Sequence, residues 1–211
     1  MKRIGYLCAS LLASCSVKPP GSPPSLPGLK DGATVLFIGN SYSFGVPDAF
    51  CREAEKRGVS LHVERVAHNG WALAKHAKNP ETIDAIRRRS WDVIVLQELS
   101  VIPARPLQRA FHMMPALADL TKIIREQGAT PVFYQTWGRR DSFEPMNSRI
   151  REGYQAASAA MGGIPVVPVG DAWAREIEAG RGDALYQEDG SHPTSHGNSV
   201  SAGVFCDSLL R

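Results

Sequence analysis

Apolar residues fall in five short runs, and each run leads into a stretch with helical spacing. Val35 to Ile38 is unbroken and rich in β-branched and aromatic residues, as a strand buried on both faces requires. Leu61 to Val66 alternates apolar and polar, which predicts a strand nearer an edge. Asp92 to Leu96 is a second continuous run, followed by Pro131 to Tyr134 and Ile164 to Val169. Between them the spacing predicts helices over Pro47–Arg57, Pro80–Arg89, Leu107–Gln127, Asn147–Met161, Asp171–Ala179 and Ser195–Leu210. The first ends at Gly58, the third at Gly128 and the fourth at Gly162-Gly163, each a helix stop. Gly138 to Pro145 reads as a surface excursion. Strands alternating with helices predict an α/β fold with a parallel sheet.

The N-terminus does not fit that pattern. Lys2 and Arg3 precede an apolar and small-residue run, Ile4 to Ser14, too short to span a bilayer. This is the pattern of a secretory signal peptide over 1–14. Its end, Leu12-Ala13-Ser14-Cys15, resembles the lipobox of bacterial lipoproteins and implies lipidation at Cys15. Residues 15–31 are rich in Pro, Ser and Gly, a composition that favours extended, polyproline-like chain over a core and reads as a tether. The folded domain is then 32–211, anchored to a membrane of the bacterial cell envelope, periplasmic or outward-facing. The formal charge is +3, of which Lys2 and Arg3 supply two, so composition gives no electrostatic case for nucleic acid.

The candidate chemistry lies at two distant places. Gly39-Asn40-Ser41-Tyr42-Ser43 follows the first strand, at the carboxyl end where open α/β sheets bind ligands. A serine hydroxyl needs a base within hydrogen-bond reach, itself oriented by a third group. Asp189 and His192, three residues apart across a glycine turn, have the spacing for a carboxylate to meet the imidazole Nδ1–H and leave Nε2 for Ser41. Pro193 holds His192 extended and out of a helix.

The G-N-S-Y-S loop, the glycine of Ala67-His68-Asn69-Gly70-Trp71, a carboxamide after the Asp92–Leu96 run and the terminal D-x-x-H together resemble the SGNH (GDSL-like) hydrolases. The resemblance runs from about Thr34 to the C-terminus. It implies a three-layer α/β/α flavodoxin-like fold with a five-stranded parallel sheet of order 2-1-3-4-5. It further implies Ser41 as nucleophile, His192 as base then acid, Asp189 as its orienting carboxylate, and an oxyanion hole of Ser41 N–H, Gly70 N–H and a side-chain amide. The family's first block is usually Gly-Asp-Ser, and here Asn40 replaces the aspartate. Its third block normally supplies an asparagine amide, whereas this chain has Gln97-Glu98 and therefore assigns that donor to Gln97.

The remaining candidates are weaker. Asn40, Trp71 and Trp137 are candidate substrate contacts on the same rim; the tryptophans either stack on a sugar or acyl group or pack beneath the loops. Cys51 and Cys206 fall on helices that neighbour each other in such a fold, which leaves a disulfide or two free thiols open. Pro193 between His192 and His196 argues against a shared metal face, and no metal or cofactor is expected. The expectation is a serine esterase acting through an acyl-enzyme on O-acetyl or other short acyl groups of carbohydrate, with a lysophospholipase or thioesterase, or a non-catalytic glycan-binding surface lipoprotein using the same cleft, as alternatives.

Overall fold

The structure, a computed structural model, describes residues 27–211. The signal peptide, Cys15 and most of the tether lie outside the described residues. Five parallel strands form one sheet in the order β2-β1-β3-β4-β5: β1 Thr34–Gly39, β2 His62–Ala67, β3 Val93–Leu96, β4 Thr130–Tyr134 and β5 Val166–Val167. The helices are α1 Val46–Lys56, α2 Leu73–His76, α3 Pro80–Arg87, α4 Pro106–Gln108, α5 Met114–Glu126, α6 Phe143–Ala160, α7 Val169–Glu178 and α8 Ser195–Leu209. This is the expected α/β architecture and strand order.

The period of two in the central strands builds two cores. Val35 and Phe37 of β1, Val93 and Val95 of β3, and Val132 and Tyr134 of β4 point to one face, where α1, α7 and α8 cover them. Leu36, Ile38, Ile94, Leu96 and Phe133 point to the other, under α3, α5 and α6. All four residues of β3 are buried, while β2 at the edge is mostly part-exposed. That contrast matches the continuous and alternating patterns of the two segments.

Two local expectations are corrected, and one open alternative is resolved. The folded unit begins by Leu29 rather than at residue 32: Leu29 is buried, donates its N–H to Leu209 O (2.6 Å) and accepts from Arg211 N (3.3 Å). The single helix expected from Leu107 is interrupted by a π-helical turn, Arg109–Met113, between α4 and α5. Such turns arise where one extra residue must be fitted into a helical path. Cys51 and Cys206 are free thiols, although α1 and α8 do pack together. Cys206 is sunk among core side chains of α8, whereas Cys51 meets the backbone of Val63 in β2, so the two sulfurs serve different neighbours. Burial raises both thiol pKa values, that of Cys206 to about 11.

The loop after β3 is wedged against α6. A Cβ on Gly153 would stand 2.2 Å from Pro103 O, a backbone atom with little freedom to retreat. Gly153→Ala is expected to destabilise the fold by roughly 1–3 kcal/mol through overpacking, read as a lower urea midpoint with an unchanged slope.

Candidate active site

The site is assembled at the carboxyl ends of β1 and β3 and in the loop before α8. Asn40 closes β1 and caps a 3-10 turn, Ser41–Ser43, by accepting Tyr42 N–H on Oδ1 (3.2 Å). Ser41 is thereby lifted to the sheet's rim, half-buried. Its Oγ lies 2.9 Å from His192 Nε2. His192 Nδ1 is hydrogen-bonded to Asp189 Oδ2, and Asp189 Oδ1 accepts the backbone N–H groups of Ser191 and His192, both at 2.9 Å. The three side chains picked from the sequence therefore meet in one chain of hydrogen bonds. The bond from His192 and these backbone donors hold the Asp189 carboxyl down at about 2.

Local chemistry fixes the histidine loop. Gly190 takes a positive φ of 63°, which lets the chain turn between Asp189 and His192. Gln187 donates its N–H to His192 O (2.8 Å) and its side-chain amide to Pro193 O (2.9 Å). Arg140 N–H caps Gly190 O at 2.9 Å. Thr194 then caps α8 by accepting Gly197 N–H.

A column of aromatic rings supports that loop from below. Tyr42 stacks on Trp137 (4.6 Å, 4°), and Trp137 stacks on Trp173 (3.8 Å, 8°). The edge of the Tyr42–His192 pair is perpendicular at 5.5 Å, and Tyr42 Oη lies 2.6 Å from Ser191 Oγ. Trp137 Nε1–H donates to Ser191 O at 3.1 Å. Trp137 is fully buried, which fits the second of its two expected roles: in place of a substrate contact, it packs beneath the loops and holds the histidine loop.

Gln97 is also corrected. It is fully buried, with Oε1 accepting Asn40 N–H (2.8 Å) and Ser43 Oγ–H (3.0 Å), and Nε2 donating to Asn40 Oδ1 (3.1 Å) and Glu98 O (2.6 Å). Both amide hydrogens are spent inside the protein, leaving none for an oxyanion. Asn40, 2% exposed, is likewise committed: its Nδ2 donates to Trp71 O at 3.0 Å. It ties the two loops rather than meeting substrate.

A cavity of about 390 Å³ opens over Ser41 and His192, lined also by Phe44, Asn69, Gln187 and Asn198. Asn69 is the residue sequence reasoning passed over, although it adjoins Gly70. The signal was its neighbourhood: a carboxamide beside the glycine of a rim loop. Gly70 has φ +69°, and among the described residues neither its N–H nor that of Ser41 is engaged by another protein group. Trp71 is half-buried, stacked on His68 (4.0 Å) with Lys75 Nζ 4.1 Å from its ring centre.

Solved structures similar to this chain include a candidate SGNH hydrolase from Slackia heliotrinireducens, 28% identical, covering 84% of this chain and 99% of that one with a TM-score of 0.67. A DUF4886 family protein from Bacteroides uniformis is 20% identical over 85% of this chain and 83% of its own, at TM-score 0.74. A variant of an acetyl xylan esterase from Geobacillus stearothermophilus is 13% identical over 87% and 99%, at TM-score 0.65. No protein-family model and no curated protein matches the sequence. The sheet order and these likenesses show that the chain has the fold of the SGNH hydrolases, which its motifs resemble.

Two buried titratable groups sit beneath the site. Glu98 Oε1 accepts Leu73 N–H (3.0 Å) and Leu99 N–H (2.7 Å), while Oε2 has no partner; burial raises its pKa to about 7. His76 of α2 spans Gly39 O (2.8 Å) and Thr82 Oγ1 (2.9 Å), and burial lowers its pKa to about 4. The signs oppose each other. Glu98 binds its proton more tightly when folded, so its contribution is lost as pH rises from about 4.5 to about 7. His76 binds its proton less tightly when folded, so its contribution is lost as pH falls from about 6.5 to about 4. The two slopes nearly cancel between them. Glu98→Gln is expected to expose the histidine's slope, with stability falling by on the order of 3 kcal/mol on acidification through that window, against a nearly flat profile for the parent in urea titrations.

Proposed function

We propose that the chain cleaves carboxylic esters by acyl transfer through Ser41, on short acyl groups and above all O-acetyl groups of carbohydrate. The observation that carries this is the continuous Ser41–His192–Asp189 hydrogen-bond chain opening into a cavity.

The steps follow from the geometry. His192 Nε2 takes the Ser41 proton as Oγ attacks the ester carbonyl, and Asp189 holds the imidazole in the Nδ1–H form and stabilises the cation. The oxyanion is met by the Ser41 and Gly70 N–H groups and by the Asn69 side-chain amide, in place of Gln97. His192 then protonates the leaving alcohol, and the same imidazole activates water to release the acid. Asn69, Gln187 and Asn198 give the cavity a polar wall that suits a hydroxylated leaving group, while Phe44 gives an apolar one of limited extent. A volume near 390 Å³, open to solvent, favours acetyl over a long acyl chain.

Ester turnover and thermal melting test this. Hydrolysis of p-nitrophenyl esters is expected to fall steadily from acetate to octanoate, and Ser41→Ala to lose at least a thousandfold in kcat; equal turnover by Ser41→Ala would overturn the assignment. Asn69→Ala is expected to lower kcat by 10²–10³ with little change in melting temperature, the cost of one oxyanion donor. Gln97→Ala is expected to show the reverse emphasis, a loss of stability preceding the loss of rate.

A further inference from the structure

The segment after β3 carries a surface that ester cleavage does not use. Leu107 and Phe111 are 74% and 72% exposed, the two most exposed large apolar residues of the described chain. They stand four residues apart across the π-helical turn, with exposed Pro106 and Ala110 beside them. From Ser100 to Ala118 the sequence holds no Asp or Glu. Beside this ridge a groove of about 650 Å³ is lined by Arg105, Arg109 and Arg149, with Glu152 its one carboxylate. None of the three arginines forms an ion pair among the described residues.

The ridge and the catalytic cavity share one edge of the molecule. The segment leaves the carboxyl end of β3, where Gln97 is bonded to the Ser41 turn, and its π-helical turn packs against α2, just behind the Asn69–Trp71 loop. Arg105 and Arg149 also line a smaller groove that reaches Ser142, in the turn whose Arg140 holds Gly190 O.

We infer that this ridge docks the domain on a lipid surface bearing anionic headgroups, with the active-site rim turned toward it. Apolar side chains flanked by arginines on one exposed segment match an interfacial surface: Leu107 and Phe111 enter the acyl boundary while the guanidinium groups meet phosphate. A soluble polyanion would satisfy the arginines but leave both apolar side chains in water. A second copy packed through the same face would bring the arginine sets together, a like-charge arrangement that opposes association.

Residues 27–211 contain both cores and the whole site, so this span can be tested without the apolar N-terminal run. It is expected to sediment with phosphatidylcholine vesicles containing 30% phosphatidylglycerol, weakly with phosphatidylcholine alone, and less as salt rises. Leu107→Glu with Phe111→Glu is expected to weaken vesicle binding at least tenfold, and Arg105→Glu with Arg149→Glu similarly, both keeping p-nitrophenyl acetate turnover. In a separate variant, Phe111→Trp, indole emission should shift to the blue on vesicles. No phosphatidylglycerol-dependent sedimentation, or sedimentation untouched by the double apolar substitution, overturns the inference. So does equal retention on dextran sulfate by parent and Leu107→Glu/Phe111→Glu, which assigns the arginines to a soluble polyanion, or a dimer that the same substitution abolishes. Because turnover of the soluble ester is read independently, failure of docking and failure of the esterase assignment are separate results.

Discussion

The amide pairing between Asn40 and Gln97 is the constraint on which the site depends. Two strands of a parallel sheet end side by side, and their carboxyl termini would otherwise diverge into independent loops. Here the Gln97 side chain reaches from the end of β3 and takes the Asn40 N–H at 2.8 Å and the Ser43 hydroxyl at 3.0 Å, while giving its own N–H to Asn40 Oδ1. Every one of these groups is buried, so breaking the pairing would strand polar atoms without water. The Ser41 turn is therefore fastened on both sides, and Gly39 is obligatory beneath it: a Cβ there would stand 2.4 Å from Gln97 Oε1.

The histidine loop is secured by different physics. A stack of three aromatic rings, Tyr42, Trp137 and Trp173, passes from the nucleophile turn down into the core; the polar tips of the first two bond Ser191, and that of Trp173 bonds Ser201. The stack couples the two halves of the hydrogen-bond chain, because Tyr42 adjoins Ser41 and also meets the His192 ring. Large rings with few rotatable bonds lose little entropy when ordered this way, which suits a scaffold that must hold a half-buried imidazole in place.

The sheet was legible because its strands carry the pattern of their burial. Val35–Ile38 and Asp92–Leu96 read as central and Leu61–Val66 as peripheral, which is where the structure puts them. Ser41, Asp189 and His192 were legible from spacing and residue type. What was not legible is which way a polar side chain near the rim points. Trp137 and Asn40 look like rim residues in one dimension, yet both turn inward. The π-helical turn was hidden as well, since the apolar spacing from Leu107 onward is compatible with an uninterrupted helix.

Gln97 shows why a departure from a family pattern must be read through contacts. As a misplaced oxyanion donor it lends weight to a site that binds without turnover. Buried between the two strand ends it has another task, one that needs its extra methylene to reach Asn40 from β3. A shorter asparagine at this position would span less of that gap, and the Ser41 turn would lose its second fastening. Asn69, which lines the cavity in the same loop as Gly70, is the donor proposed in its place. The departure at Gln97 then speaks for a differently braced nucleophile turn, and it ceases to favour a binding protein over an esterase.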